Sequence, residues 1–140
     1  MLMTSTIDMK DLRHLNLFSK ITHIDTRFCF AYNEIIFFCV PKQLVSRALG
    51  KDAINIKRLS EILKRRVRII PIPQGLPHAK QFIEAIVNPV TFKEIEIKDD
   101  EIILTAGSQS KAALLGRNKR RLLEMQKIIK DFFGKEFKIV

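Results

Sequence analysis

Residues 49–59 read LGKDAINIKRL, and this stretch holds the most informative pattern in the chain. The glycine at position 50 separates two helical patterns and permits backbone conformations that other residues rarely adopt. Beyond it, apolar residues recur at the spacing of one helical face. Counted from Gly50 they fall at offsets 6, 9, 12 and 13, which are Ile56, Leu59, Ile62 and Leu63. The stretch predicts a short helix, a tight basic turn and an amphipathic helix.

The same pattern occurs a second time at residues 115–125, which read LGRNKRRLLEM. Counted from Gly116, the same four offsets give Leu122, Met125, Ile128 and Ile129. Any amphipathic helix produces such spacing, but here both helix–Gly–helix breaks also follow a pair of strand patterns and precede another one. We therefore predict a duplicated unit, with one domain over residues 1–72 and a second over residues 73–140.

Each unit is predicted to contain a helix, two strands, two helices and a final strand. In the first unit we expect helices over residues 8–18 (capped by Thr6 or Asp8), 42–49 and 53–64, and strands over 21–30, 35–40 and 67–70. In the second we expect helices over residues 78–87, 108–115 and 117–133, and strands over 91–97, 101–105 and 136–140. Three prolines between residues 71 and 77 predict a stiff linker without helix. The predicted fold class is α+β: two tandem domains, each a three-stranded sheet covered by three helices.

The positive charge of the chain falls in two blocks. The 140 residues carry a net charge of +10. Residues 42–68 carry +7 and residues 107–140 carry +6, whereas residues 1–41 are neutral and residues 69–106 carry −3. A small, strongly basic chain typically binds nucleic acid or another polyanion, although charge alone is equally consistent with a generic basic surface.

Each basic block contains one of the two glycine turns, which we call the first elbow (residues 50–53) and the second elbow (residues 116–119). An elbow opens the N-terminus of a helix, where unpaired N–H groups and the helix dipole attract phosphate. Lys51 and Arg117 stand beside these N-termini in the sequence. One such turn is usually a plain connection, but two of them inside basic blocks favour phosphate binding.

The two elbows resemble the helix–GxxG–helix core of K-homology (KH) domains, the second less closely than the first. The order of elements resembles the prokaryotic, type II arrangement of that domain. Two such units with little else resemble the archaeal-type NusA family of transcription factors, and this resemblance covers nearly the whole chain. It implies a protein that binds single-stranded RNA and acts with RNA polymerase in transcription elongation, termination or antitermination.

The resemblance also implies which residues contact RNA, because the GxxG loop of a KH domain clamps the backbone of about four nucleotides. In the first unit these are Arg47, Leu49, Gly50, Lys51, Asp52, Ala53, Lys57 and Arg58, with Ile54 and Ile56 beside them. In the second unit they are Leu115, Gly116, Arg117, Asn118, Lys119, Arg120 and Arg121, with Leu122 beside them. Ordinary core packing is the alternative interpretation of Ile56 and Leu122. We expect a monomer that needs no cofactor.

Both elbows depart from the GxxG pattern at its last glycine, which is Ala53 in the first and Lys119 in the second. Alanine is tolerated there if its φ is negative, whereas lysine places a long side chain where the RNA backbone approaches. Asp52 partly offsets Lys51. These departures leave open an alternative function, a KH scaffold with weakened RNA binding that acts as a protein-interaction module. Single-stranded DNA is a further possible ligand.

Other classes of function have little support in the sequence. It contains no GxxxxGK[ST], GxSxG or HExxH motif, so we expect no enzyme. The two cysteines and three histidines lie at no metal-ligand spacing, so we expect no metal site. Cys29 and Cys39 are interpreted as buried thiols, with a hairpin disulfide as the alternative. No apolar run approaches the ~20 residues that cross a bilayer, and no secretory leader is visible, so we expect a cytoplasmic protein.

Overall fold

The computed structural model of the chain describes residues 9–140, and these divide into two compact units. The first unit extends to Ile72, and the second begins at Pro73. The predicted cap of the first helix, Thr6 or Asp8, lies outside the described residues. Within the described part of the chain each unit contains three helices and three strands.

The first unit is built in the order helix, strand, strand, helix, helix, strand. Its elements are α1 (Met9–Thr22), β1 (Phe28–Tyr32), β2 (Ile35–Val40), α2 (Val45–Leu49), α3 (Ile54–Leu63) and β3 (Arg66–Pro71). The second unit repeats this order. Its elements are α4 (Ala79–Val87), β4 (Glu94–Ile97), β5 (Glu101–Thr105), α5 (Ser108–Leu115), α6 (Arg120–Phe133) and β6 (Glu136–Ile139).

The two sheets have the same topology. In the first, β2 lies between β1, to which it is antiparallel, and β3, to which it is parallel. In the second, β5 lies between antiparallel β4 and parallel β6. A parallel pair needs a long crossover, and in both units the two helices that flank the elbow supply it. The fold class is therefore α+β, as predicted, with two three-stranded sheets in the described residues.

A pair of stacked phenylalanines marks the core of the first unit. The ring of Phe18 on α1 lies 4.5 Å from the ring of Phe38 on β2, and both side chains are fully buried. Leu59 on α3 and Val67 on β3 join the same cluster. Burying aromatic and aliphatic side chains is the main term that stabilises a domain of this size. The core therefore lies between the helices and one face of the sheet.

The second unit has its own aromatic pair, Phe82 on α4 and Phe132 on α6, with ring centroids 4.8 Å apart. The central strand β5 contributes Ile102 and Leu104, which are almost fully buried. Alternation along β5 places these two side chains on one face of the sheet and Ile103 on the other. The unit thus has a helix-covered face like that of the first.

The start of the first hairpin differs from its prediction. Residues 21 and 22 were expected in a strand, but α1 continues to Thr22 and β1 begins only at Phe28. Thr22 is buried, and its hydroxyl donates to the Phe18 carbonyl oxygen at 2.8 Å. The β-branched residues at the end of α1 stay helical because this packing and hydrogen bond outweigh their strand preference. His23, at φ 60°, then ends the helix.

The second helix of each pair differs in length. Helix α3 has 10 residues and ends before Lys64, which adopts a left-handed conformation. Helix α6 has 14 residues, one turn more, and ends before Gly134. Ile62, predicted on the buried face, is 58% exposed, whereas its equivalent Ile128 is 3% exposed. The prediction for Ile62 was wrong, because the buried face of α3 centres on Leu59 with Ile56 and Leu63 packed beside it.

The proline-rich segment is more ordered than a plain linker. Pro71 is the last residue of β3, and the Ile72 N–H donates to the Val40 carbonyl oxygen at 2.9 Å. Residues Leu76–His78 form a 3-10 turn that leads into α4. The expectation of no helix between residues 71 and 77 was therefore wrong at its end, because Pro77 is compatible with the first turn of a helix.

Both cysteines are buried thiols outside any disulfide, as predicted. Cys29 lies opposite Phe38 and Cys39 opposite Phe28 in the β1–β2 ladder. Since successive side chains alternate between faces, the two sulfur atoms lie on opposite sides of the sheet and form no disulfide. Burial raises the pKa of the Cys39 thiol, so this thiol stays protonated.

Candidate nucleic-acid interface

The first elbow joins α2 to α3 through an unusual backbone path. Gly50 has φ 77° and ψ 173°, a combination that is essentially restricted to glycine. Asp52 and Ala53 follow with φ near 55°, in the left-handed region. The Ala53 N–H donates to the Gly50 carbonyl oxygen at 3.2 Å, which closes the turn. Helix α3 begins directly after this turn.

The second elbow adopts the same conformation with different side chains. Gly116 has φ 75° and ψ 172°, and Asn118 and Lys119 have φ values of 55° and 58°. The Lys119 N–H donates to the Gly116 carbonyl oxygen at 3.1 Å. Helix α6 begins at Arg120. The fold therefore imposes one elbow geometry on two different four-residue sequences.

The fourth position of each elbow lies in the left-handed region, contrary to the condition set for alanine. Ala53 has φ 55° rather than a negative value, and Lys119 has φ 58°. A non-glycine residue in this region is strained by roughly 1–2 kcal/mol. Glycine, the residue of the GxxG pattern, avoids this strain. Both elbows are thus held in place by the packing of the flanking helices.

Glycine is required at the first position of each elbow for a second reason, which is space. A Cβ atom added at Gly116 would lie 2.9 Å from the Arg121 backbone nitrogen and 2.5 Å from its Cγ. A Cβ atom added at Gly50 would lie 2.9 Å from the Asn55 Nδ2 and 3.0 Å from the Ile54 Cγ2. The first turn of the next helix therefore packs directly against each glycine.

Most of the predicted cations around the elbows are exposed. In the first unit the exposed members are Arg47, Lys51, Lys57 and Arg58. In the second unit they are Arg117, Lys119 and Arg120. Asp52 and Asn118, at equivalent positions of the two elbows, are exposed as well. Each helix N-terminus is thus surrounded by positive charge that a phosphate backbone can approach.

The apolar residues predicted beside the elbows divide into two groups. Leu49 and Ile56 are half-buried and pack against the core of the first unit, which favours the core interpretation of Ile56. Leu115 and Leu122 are half-buried in the second unit. Ile54 is 43% exposed at the start of α3, so it is the apolar side chain of the first elbow that is most accessible to a ligand.

Arg121 differs from the other predicted cations. Its guanidinium forms an ion pair with Glu124 one turn along α6, and its side chain is only 15% exposed. Its stem lies next to Gly116, where a Cβ would collide with it. The aliphatic stem of Arg121 therefore packs against the second elbow, and Glu124 balances part of the positive charge of its guanidinium.

In the first unit Asn55 occupies the position equivalent to Arg121. The Asn55 side-chain amide donates to the Ala48 carbonyl oxygen near the end of α2, at 3.0 Å. This bond joins the two helices across the elbow. Sequence reasoning did not single out Asn55 or Glu124; the i, i+3 spacing of Arg121 and Glu124 was the available signal for the second.

An open depression of about 390 Å³ lies at the second elbow. Its walls are formed by Arg117, Asn118, Arg120, Arg121 and Leu123. Leu123 is 60% exposed, so the depression combines a cationic rim with an accessible apolar side chain. Phosphate and an unstacked base are the two chemical groups that such a surface can hold together.

One basic residue of the first block is engaged elsewhere. The Arg68 guanidinium lies 5.7 Å from the centre of the Phe37 ring, a cation–π distance. Burial, and secondarily the neighbouring Arg66, lowers the pKa of Arg68, and an arginine remains charged under these conditions. Arg68 was not among the predicted RNA contacts, and the structure gives it a packing role on the sheet.

Among residues 9–140, no helix is long and apolar enough to span a membrane.

Comparison with known proteins finds distant sequence similarity to two proteins that carry the same name. No family model matches it. It is 25% identical over 92 residues to a Methanococcus vannielii protein named "Probable transcription termination protein NusA", which covers 66% of this chain and 51% of that protein. The chain thus matches about half the length of that relative. It is 24% identical over 138 residues to a Halococcus morrhuae protein of the same name, covering 92% of this chain and 97% of that protein.

The fold has a close counterpart among solved structures. The crystal structure of APE1850 superposes with a TM-score of 0.64 at 20% sequence identity, covering 96% of this chain and 99% of that one. The likeness concerns the fold alone. The two three-stranded sheets and six helices of residues 9–140 fit a two-domain KH-like fold, and the chain has a distant relationship to proteins that carry the NusA name.

Proposed function

We propose that this chain binds single-stranded RNA through two type II KH domains and acts with RNA polymerase in transcription elongation, termination or antitermination. One observation carries the proposal: two elbows share the same glycine-led backbone, and each opens the N-terminus of a helix among exposed cations. The helix–strand–strand–helix–helix–strand order of each unit supports the type II part of the proposal, because it resembles the element order of that domain. The NusA name of two distant relatives supports the transcriptional role.

The geometry of the elbow explains how the chain would bind RNA without catalysing a reaction. The positive φ values of Gly50 and Gly116 turn the chain so that the exposed second and third loop residues stand at the start of the next helix, where a phosphate is favoured. Lys51 and Arg117, both exposed, stand at the second loop position and would neutralise a phosphate. No bond is made or broken in this process, and the proposed function is that of a binding protein and not of an enzyme.

The proposal is tested by titrating labelled single-stranded RNA oligomers with the full-length chain at several salt concentrations. If roughly five phosphates are contacted, log K falls with log salt at a slope near −3.5, because each phosphate on a single strand contributes about −0.7. We expect Lys51→Glu and Arg117→Glu each to weaken binding by about tenfold and to flatten the slope by about 0.7.

Two matched variants serve as controls. Lys10 and Lys80 are exposed and lie near the starts of α1 and α4, outside the elbows. Lys10→Glu and Lys80→Glu make the same change of charge and favour the helix dipole. We expect them to change affinity less than twofold in moderate salt. Equal losses for all four variants would show non-specific attraction, and no binding to any oligomer at low salt would refute the proposal.

A protein-interaction module is the second candidate, and the acidic strand β4 favours it. Glu94 and Glu96 are exposed on β4 and lie opposite Thr105 and Ile103 of β5. These exposed carboxylates would attract a basic partner. Capture of RNA polymerase that survives nuclease treatment, together with no affinity for RNA, would support this candidate over the first.

A further inference from the structure

Three side chains with metal-binding atoms meet in the first unit, on elements other than those that form the elbow. A carboxylate oxygen of Asp11, an imidazole nitrogen of His14 and the sulfur of Cys29 all lie within 4.8 Å of one another. Asp11 and His14 are half-buried, and Cys29 is 8% exposed. Sequence reasoning excluded a metal site on ligand spacing, so this juxtaposition is a finding of the tertiary structure.

Packing of α1 on β1 produces the cluster. Asp11 and His14 are three residues apart on α1 and therefore share one face of that helix. Cys29 lies on β1 and belongs to the core cluster that the helices cover. Its sulfur lies 3.8 Å from the Asp11 carbonyl oxygen, so the strand side chain reaches the first turn of the helix.

The three donor types together select a particular kind of ion. Thiolate, imidazole and carboxylate are all ligands of Zn²⁺, at distances of about 2.0–2.3 Å. Tetrahedral donors around such an ion are about 3.3–3.7 Å apart, so binding would draw the three donor atoms together by up to about 1.5 Å. Mg²⁺ and Ca²⁺ prefer oxygen ligands and would leave the thiol unused.

Charge balance favours the same ion. An ionised Asp11 carboxylate and a Cys29 thiolate carry two negative charges, and a neutral His14 adds none. A dication bound by this set forms a neutral group, which is the least costly arrangement for a largely buried position. Cys39, whose thiol is held protonated by burial on the other face of the sheet, cannot substitute for Cys29.

We propose that Asp11, His14 and Cys29 form a three-ligand Zn²⁺ site that fastens α1 to β1, with water in the fourth position. The site belongs to the first unit alone. The strand residue equivalent to Cys29, 66 positions along the chain, is Ile95, which has no donor atom. The ion would reinforce a contact between two elements of the first core and is independent of the proposed RNA binding.

Cobalt binding to the full-length chain tests the site, since Co²⁺ replaces Zn²⁺ in such geometry and is coloured. We expect one equivalent of Co²⁺ to produce a thiolate-to-cobalt charge-transfer band and tetrahedral d–d bands, and Zn²⁺ to remove both. Cys29→Ser should abolish the charge-transfer band, and His14→Gln should weaken Co²⁺ affinity by about tenfold or more. Cys39→Ser and His23→Asn are the matched controls and should bind cobalt like the parent chain.

The outcomes decide between a metal site and a purely packed cluster. No charge-transfer band in the parent chain, or a band that persists in Cys29→Ser, would overturn the proposal. A band lost only in Cys39→Ser would do the same. Circular dichroism checks the fold of each variant, and if Cys29→Ser does not fold, His14→Gln and Asp11→Asn decide the matter. Zn²⁺ should also raise the Tm of the parent chain and raise that of His14→Gln by less at the same concentration.

Discussion

The two elbows share a backbone but carry different electrostatic fields. The first reads Gly-Lys-Asp-Ala and has no net charge, because Asp52 offsets Lys51. The second reads Gly-Arg-Asn-Lys and has a net charge of +2. Their φ values agree within a few degrees at each position that deviates from ordinary helix. The comparison teaches that the fold sets the path of the loop, whereas the side chains set how strongly it attracts a phosphate.

The side-chain contacts that stabilise the two elbows differ as well. At the first elbow the Asn55 side chain donates a hydrogen bond to the Ala48 carbonyl oxygen. At the second elbow the Arg121 side chain packs against Gly116 and forms an ion pair with Glu124. The second elbow, whose sequence is further from GxxG, therefore has the greater exposed positive charge but the more crowded glycine. The two units are expected to respond differently to matched substitutions.

The largest expected difference in stability concerns the two glycines. Gly116→Ala brings a Cβ against the backbone nitrogen of Arg121, which cannot move without shifting α6. Gly50→Ala brings it first against side-chain atoms of Asn55 and Ile54, which can adjust. We expect both to lower the free energy of unfolding by about 1–3 kcal/mol, with Gly116→Ala at the upper end. Urea unfolding of the full chain measures the free energy of unfolding of each variant. Equal losses for Gly50→Ala and Gly116→Ala would contradict the proposal that Gly116 is the more crowded glycine.

A smaller effect of opposite sign is expected at the fourth loop position. Ala53→Gly and Lys119→Gly place glycine at φ values of 55° and 58°. Relief of left-handed strain exceeds the extra entropy of glycine in the unfolded chain, so each should raise the free energy of unfolding by about 0.5–1 kcal/mol. Urea unfolding tests this, and a loss of stability for Ala53→Gly would contradict the left-handed assignment.

These two variants also separate stability from RNA binding. Lys119→Gly removes a cation as well as strain, so it should fold more stably and bind RNA less tightly. Ala53→Gly leaves the charge unchanged and should not weaken binding. If both variants changed the affinity for RNA by the same factor, the positive charge of the second elbow would not explain how that elbow contributes to RNA binding.

The smallest expected effect comes from exchanging the third loop residues. Asp52→Asn gives the first elbow the residue that the second has at position 118, and asparagine is favourable in the left-handed region. Removing the negative charge beside Lys51 should tighten RNA binding by about two- to threefold at low salt. Asn118→Asp is the reciprocal control and should weaken binding by a similar factor. An increase in affinity that does not decline as salt rises would contradict the electrostatic explanation.

The sequence predicted the order of the elements and several of their bounds, although α2 and α6 each begin three residues later than expected. Helix α5 and strand β5 have their predicted bounds, and the duplicated order of elements is present in the described residues. Prediction was poorer where a tertiary contact decides the outcome. Helix α1 extends to Thr22 because Phe18 and Thr22 are buried together, and Ile62 is exposed although it lies within the amphipathic helix α3.

The sequence by itself determined the duplication, the α+β class and the two cationic glycine turns, because all three are written in local periodicity, charge and the position of glycine. The tertiary structure decided the left-handed φ of Ala53 and Lys119, the hydrogen bond of Asn55 across the first elbow, and the meeting of Asp11, His14 and Cys29. Residues distant along the chain are brought together only by packing, and the backbone angles of a loop follow from the helices that it must join. Local pattern carries neither kind of information.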